Sequence, residues 1–248
     1  MERNPLYVQS VALAEDEKRE LKSYPFNIPL IRKFRKLTFN KPVTFIIGEN
    51  GTGKSTLLEA FALACGFNAE GGSKNFNFKT KDTHSDFYKY LRVGKSYKKI
   101  NDGFFLRAES FYNLASNIDE LASGGGAVIY DSYGGESLHR QSHGESFLSL
   151  FNNRLRGNGL YIFDEPEAAL SPMKLMELLI VIDDLVKNNS QFIISTHSPI
   201  LMAYPHAEIY EIEEGELKLT PFEATAHFSL TKYFLANHKQ MLKNLGIE

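Results

Sequence analysis

The sequence predicts an α/β protein built on an open sheet, and three apolar strands with one glycine loop carry that expectation. Residues 43–48 (VTFIIG), 160–165 (LYIFDE) and 191–198 (QFIISTHS) are each apolar through most of their length and end in polar groups or a glycine. Such runs read as strands buried on both faces. The first runs into a glycine-rich turn, and residues 54–65 (KSTLLEAFALAC) follow with apolar positions at helical spacing. Strand, glycine loop, helix is the order of a nucleotide-binding α/β unit. In open sheets of this kind ligands gather at the carboxyl ends of the strands.

The other elements follow in chain order. Residues 28–39 (IPLIRKFRKLTF) mix apolar and basic positions and read as one or two edge strands, an N-terminal antiparallel portion ahead of Pro42. Residues 66–100 form a small insertion with eight basic residues (Lys74, Lys79, Lys81, Lys89, Arg92, Lys95, Lys98, Lys99) against three acidic ones. Phe76, Phe78, Phe87, Tyr88, Tyr90 and Tyr97 lie between them. Residues 103–111 read as a strand leading into a helix near 111–121. Residues 123–146 are glycine-rich and loop-dominated, with a short strand at 127–130. Short helical spacing at 147–155 is followed by an amphipathic helix at 172–186, with Pro172 in a permitted first-turn position. Residues 207–220 read as a hairpin turning at Glu214-Gly215, and 229–245 as a terminal helix.

Composition bounds the function. The 248 residues are 43% hydrophobic and carry a formal charge of -2. That is enough apolar material for one large domain over residues 1–248, with no global basic field to attract nucleic acid. A single cysteine, Cys65, excludes an internal disulfide. No apolar run approaches the roughly 18 residues of a membrane span, and the N-terminus lacks a signal-peptide pattern. The expectation is cytoplasmic residence without direct membrane insertion. His139, His143, His206 and His227 show no metal-ligand spacing, so zinc is not expected.

Residues 48–56 (GENGTGKST) match G-x-x-x-x-G-K-[ST] between a strand and a helix. Gly48, Glu49, Asn50, Gly51, Thr52 and Gly53 let backbone N–H groups converge on phosphate oxygens at a helix start. Lys54 reaches the β- and γ-phosphates of ATP, Ser55 ligates Mg²⁺ and Thr56 donates to the α-phosphate. The second strand ends in Asp164, placed to hold Mg²⁺, and Glu165, the general-base candidate for an attacking water. His197 ends the third strand, where it can meet the γ-phosphate or that water. In residues 141–147 (QSHGESF), Ser142 and Gly144 offer a hydroxyl and a backbone N–H at a helix start, a second anion-binding arrangement.

Taken in order, GENGTGKST, QSHGES, LYIFDEPEAAL and ISTHSP resemble the motifs of the ABC ATPase superfamily. The likeness is strongest to its SMC-like and DNA-repair branch and to small AAA-family ATPases with an ABC fold. The resemblance implies a P-loop NTPase of ABC ATPase type, with a mixed central sheet and flanking helices. It further implies that two modules join head to tail, with Ser142 and Gly144 of one contacting the γ-phosphate held by the other. Glu165 then polarises water, His197 is the switch histidine, and residues 167–171 form the inter-subunit loop. The family signature Leu-Ser-Gly-Gly-Gln or Glu stands here as QSHGE, with His143 in place of a glycine, inside a signature subregion near 111–156. The family's glutamine loop has no obvious counterpart. Glu109 is the substitute its position suggests, as a further metal contact, with Arg107 beside it. The adenine-stacking aromatic of transporter modules is missing too, and Arg32, Arg35 or Lys36 stand in its place.

The expected reaction is slow hydrolysis of MgATP to ADP and phosphate, controlled by an ATP-dependent homodimer. The basic aromatic insertion reads either as a solvated loop packed by its own aromatics or as a nucleic-acid surface, and the other expected partner is a separate protein effector in regulation, stress or defence. An ATPase subunit of a membrane transporter is the alternative.

Overall fold

The computed structural model describes residues 6–14, 23–69, 71–73, 85–107 and 143–247. The helix expected near 111–121 and the strand expected at 127–130 lie outside these residues, as do Glu109 and Ser142. A seven-stranded sheet forms the centre, in the order β10-β9-β3-β8-β7-β6-β4. Its parallel strands are β3 (Val43–Ile47), β6 (Asp102–Arg107), β7 (Gly159–Asp164), β8 (Gln191–Ser195) and β9 (Ala207–Glu213). Antiparallel β4 (Gly72–Ser73) and β10 (Glu216–Leu219) close its two sides.

The apolar runs alternate faces once they are in the sheet, as a two-residue period requires. Phe45 and Ile47, Tyr161 and Phe163, Phe192 and Ile194 enter one core. There they meet α3 (His143–Arg154), α4 (Pro172–Lys187) and the short α5 (Pro199–Met202). Ile46, Leu160, Ile162 and Ile193 enter the other core, against α2 (Lys54–Ala64). With both faces covered, no position is left for a solvent-facing polar residue, so the strands read as unbroken hydrophobic runs. Ser171 caps α4 by accepting the N–H of Lys174, and Pro172 occupies the first turn as its fixed φ permits.

A second, three-stranded antiparallel sheet, β2-β1-β5, packs on the α2 side. It joins β1 (Val8–Leu13), β2 (Lys36–Thr38) and β5 (Leu91–Lys95). This corrects two expectations. Residues 29–33, read as strand, form the helix α1 (Pro29–Lys33), started by Pro29 in its first turn. Part of the 66–100 segment is structural rather than inserted, since β5 pairs along β1 and Phe87 is fully buried. Phe87 packs edge-on against Phe26 and Phe34, and Tyr90 against Phe26, so these aromatics fill a core instead of offering stacking faces. Buried Gln191 ties the sheets together, accepting the N–H of Val8 and donating to its carbonyl.

Asp102, at the start of β6, holds the far end of the sheet. It accepts from Arg154 of α3 at 2.9 Å, from the Arg156 N–H at 2.9 Å and from the Tyr161 hydroxyl at 2.8 Å. Burial pushes its pKa up, but these three donors outweigh burial and hold the carboxyl below its ordinary value. Because the folded pKa is depressed, the stabilisation is complete above the unfolded value and is lost as pH falls through the folded one. Asp102→Ala is therefore expected to cost about 3 kcal/mol near neutral pH. Urea unfolding at about pH 7 and about pH 3 should show the gap to wild type narrowing in acid; a gap constant across that range contradicts the assignment.

Candidate ATP site

Strand register builds the site. Ile46 stands opposite Ser195, Ser195 opposite Asp164, and Asp164 opposite Arg107, so four strands end in one line. From the end of β3 the chain turns through residues 48–53 into α2. Gly48 has φ of 153° and Gly53 of 99°. A side chain at Gly53 would stand 2.8 Å from Ile28 Cγ2, and one at Gly48 would stand 2.9 Å from Ile212 Cβ. Positive φ and close packing together restrict both positions to glycine. Gly53 is also the N-cap of α2 and supplies no side-chain acceptor. The helix start thus presents its first-turn N–H groups and its positive dipole end to an anion.

Lys54 is 4% exposed and folds back on the loop, donating to the carbonyls of Gly48 at 2.8 Å and Glu49 at 3.0 Å. Burial lowers its pKa, against the opposing pull of Glu165, Asp164, Glu167 and Glu49. Thr52 closes the loop onto the Glu49 carbonyl at 2.8 Å, while Glu49, Asn50 and Gly51 are exposed. The loop is a cradle of backbone donors with one buried cation, which fits a polyphosphate.

Ser55 donates to Asp164 Oδ1 at 3.1 Å, and Ser195 donates to the same oxygen at 2.5 Å. Burial raises the Asp164 pKa, opposed by Ser195, Arg107 and Ser55. A hydroxyl and a carboxylate meeting at the loop are the donor set expected for Mg²⁺. Ser195 was not singled out in the sequence, although it is the first polar residue closing a buried strand. It also accepts the Glu165 N–H on Oγ at 3.1 Å and on its carbonyl at 3.1 Å. Ser195 therefore holds both carboxylate residues at once.

Glu165 has φ of 50°, a conformation that costs a non-glycine residue roughly 1–2 kcal/mol. That backbone turns its carboxylate to 4.0 Å from Lys54 Nζ and 3.3 Å from His197 Nε2. His197 is fixed from two sides. Its backbone N–H donates to half-buried Glu167, and its Nδ1 lies 3.1 Å from Nε2 of His227. Burial raises the Glu167 pKa, against the His197 N–H. His227, set aside in the sequence for want of ligand spacing, thus belongs to the site. No cluster of three or more His, Cys, Asp or Glu residues that could hold a metal ion occurs among the described residues.

Other expected residues are placed differently. Arg107 pairs with Glu59 of α2 at 2.7 Å, joining helix to sheet. Arg35 donates to the carbonyls of Arg32 and Phe34 at 2.9 Å each, bracing its own turn. An aromatic does stand near the loop, since the exposed Tyr24 brings its hydroxyl to 3.5 Å from Thr56 Oγ1. Gly144 lies in the first turn of α3. A cavity of about 590 Å³, lined by residues such as Tyr7, Lys41, Lys98 and His206, contains none of the phosphate-loop residues.

Comparison with known proteins bears on the family and the fold. A family model described as "AAA domain" matches residues 21–140. A second, described as "AAA domain, putative AbiEii toxin, Type IV TA system", matches residues 137–203. The structure of cbiO1 from Clostridium perfringens, part of the ABC transporter complex cbiONQ, superposes with a TM-score of 0.51 at 17% identity. It covers 93% of this chain and 96% of its own. The two models together span residues 21–203, and the chain has the fold of an ABC-type P-loop ATPase domain.

This ATPase domain is also 24% identical over 195 residues to the macrolide export ATP-binding/permease protein MacB of Hahella chejuensis. The match covers 69% of the chain but only 28% of that protein's length. An SMC head domain from Thermotoga maritima aligns at 16% identity over 87% of this chain and 99% of that one, with a TM-score of 0.43, too distant to add to this. Among the described residues no helix is long and apolar enough to cross a membrane.

Because Ser195 holds both Asp164 and the Glu165 backbone, Ser195→Ala is expected to lower ATP turnover about 10- to 100-fold. The Mg²⁺ concentration for half-maximal rate should rise with it. A titration of steady-state turnover against Mg²⁺ reads both, and wild-type values for both would contradict the bridging role.

Proposed function

We propose that this ATPase domain hydrolyses MgATP slowly, by in-line attack of a water activated by Glu165, in a homodimer that closes head to tail around the nucleotide. The observation that carries the reading is the convergence of Lys54, Glu165 and His197 at one sheet edge, with Lys54 and His197 both within 4.0 Å of the Glu165 carboxylate. Lys54 exchanges the Gly48 and Glu49 carbonyls for β- and γ-phosphate oxygens, so a buried cation regains full partners when ATP binds. Glu165 accepts the proton of the attacking water. His197 steadies the water and the γ-phosphate. Ser55 and Asp164 would hold Mg²⁺, which supplies charge neutralisation on the β- and γ-phosphates. Ser142 and Gly144 of the second copy complete each site, so that closure and catalysis are linked.

For the work driven by this cycle, we propose delivery to a separate membrane partner, as an ATPase subunit of a transport system. The likeness to the ATP-binding/permease protein supports this above the regulatory, stress, defence or nucleic-acid roles. Burial of Phe87 and packing of Tyr90 weaken the nucleic-acid role further, by removing two stacking faces. The second family description favours one other reading, control of a separate effector protein.

Two variants test the chemistry. Lys54→Ala should bind MgATP weakly and turn over at least about 100-fold more slowly. Glu165→Gln should be equally slow but retain ATP, and it should sediment as a dimer only with MgATP. An E165Q protein that stays monomeric with ATP bound rules out head-to-tail closure. Affinity capture of E165Q from membranes of the native cell separates the outputs. A co-purifying protein with several membrane spans supports transport, and capture of a protein without spans supports the effector reading.

A further inference from the structure

The C-terminal helix α6 (Ala226–Asn244) buries none of its own residues, yet its first turn is fixed against the catalytic edge. Glu211 of β9 stands opposite Ile47, the last strand residue before the phosphate loop. Its buried carboxylate accepts the N–H of Ala226 at 3.0 Å, a favourable placement of negative charge at a helix start. Thr225, fully buried, caps the same turn by accepting the N–H of Phe228 at 3.3 Å. One acceptor from the sheet edge and the helix's own buried cap therefore set where the second residue of α6, His227, must lie.

Charge decides which ring nitrogens carry protons. His197 Nε2 lies 3.3 Å from Oε1 of Glu165, without an aligned hydrogen bond among the described residues, and the charge there would repel a lone pair and attract an N–H. A proton on Nε2 leaves Nδ1 of neutral His197 as an acceptor. The group presented to Nδ1 is His227 Nε2, at 3.1 Å. With its own proton on Nε2, a neutral His227 leaves Nδ1 bare, and that nitrogen is buried without a hydrogen-bond partner among the described residues. An unfilled lone pair there is tolerated better than a stranded N–H.

We propose that His227 is a positioning residue for hydrolysis: it donates to Nδ1 of His197 and so holds His197 with its Nε2–H toward Glu165 and the attacking water. This rests on the role given to His197 above. The environment keeps His227 neutral, as the arrangement needs. Burial is the largest cause that lowers its pKa, and Glu211 and Glu49 oppose it. The bond between the two rings also makes the C-terminal helix part of the catalytic edge. A tautomer set by the hydrogen bond at the other nitrogen is the usual way a histidine is oriented for its task.

The test combines steady-state kinetics with ¹⁵N NMR of the histidine rings in the full chain. His227→Phe is expected to lower kcat about tenfold while KM for ATP stays within about twofold, the pattern of a group felt in the transition state. His227→Gln, which keeps an N–H near the same point, should recover most of that loss. The His197→Ala and His227→Phe double variant should be no slower than His197→Ala alone, because residues acting as a unit are not additive. In the wild type, His197 should be the Nε2–H tautomer, and in H227F a mixture. A wild-type His197 protonated on Nδ1 overturns the proposal even if H227F does not fold. So does an H227F enzyme at the wild-type rate alongside a slow H197A. If H197A itself turns over at the wild-type rate, the role of His197 fails and the proposal falls with it.

Discussion

The site depends on a register: Ile46, Ser195, Asp164 and Arg107 lie in one line across four strands. Parallel pairing fixes that line, because a slip of one residue would turn Ile46, Ile193 and Ile162 into the wrong core. The cores on both faces thus enforce the alignment of the strand ends, and the strand ends carry the chemistry. Ser195 is the keystone. As the end of the strand between the phosphate-loop strand and the carboxylate strand, it hydrogen-bonds Asp164 with its side chain and the Glu165 backbone with both of its oxygens.

Strain and burial are concentrated at that line. Glu165 sits in a left-handed conformation, Lys54 is buried on carbonyl oxygens, and one buried carboxylate oxygen of Glu167 lacks a partner among the described residues. Each costs stability on its own. Together they hold a cation, a base and a histidine at distances that water alone would not maintain. The apolar packing of the two helical layers and the Asp102 network at the other end of the sheet offset that cost.

Much of this was legible in the chain. The parallel strands announced themselves because burial on both faces erases polar alternation, and the glycine loop because few other residues accept its φ values. Asp164, Glu165 and His197 followed from where those strands end. The antiparallel sheet was harder. VQSVAL in β1 is short, and its partners β2 and β5 lie far along the sequence, so no local signal joins them. PLIRK is too short for its pattern to separate strand from helix, and only Pro29 hinted at the helix start. His227 was invisible for a physical reason. Its meeting with His197 is made by the fold of β9 onto β3 and the capping of α6 by Glu211, and neither leaves a spacing motif.

The most direct test of the aligned-edge account is the crystal structure of the E165Q protein with MgATP. The account predicts that the Lys54 amino group leaves the Gly48 and Glu49 carbonyls for phosphate oxygens, while the Ser195–Asp164 hydrogen bond and the line of strand ends stay in place. A nucleotide whose phosphates lie away from residues 48–56, or a Ser195 detached from Asp164 in the bound state, would contradict it.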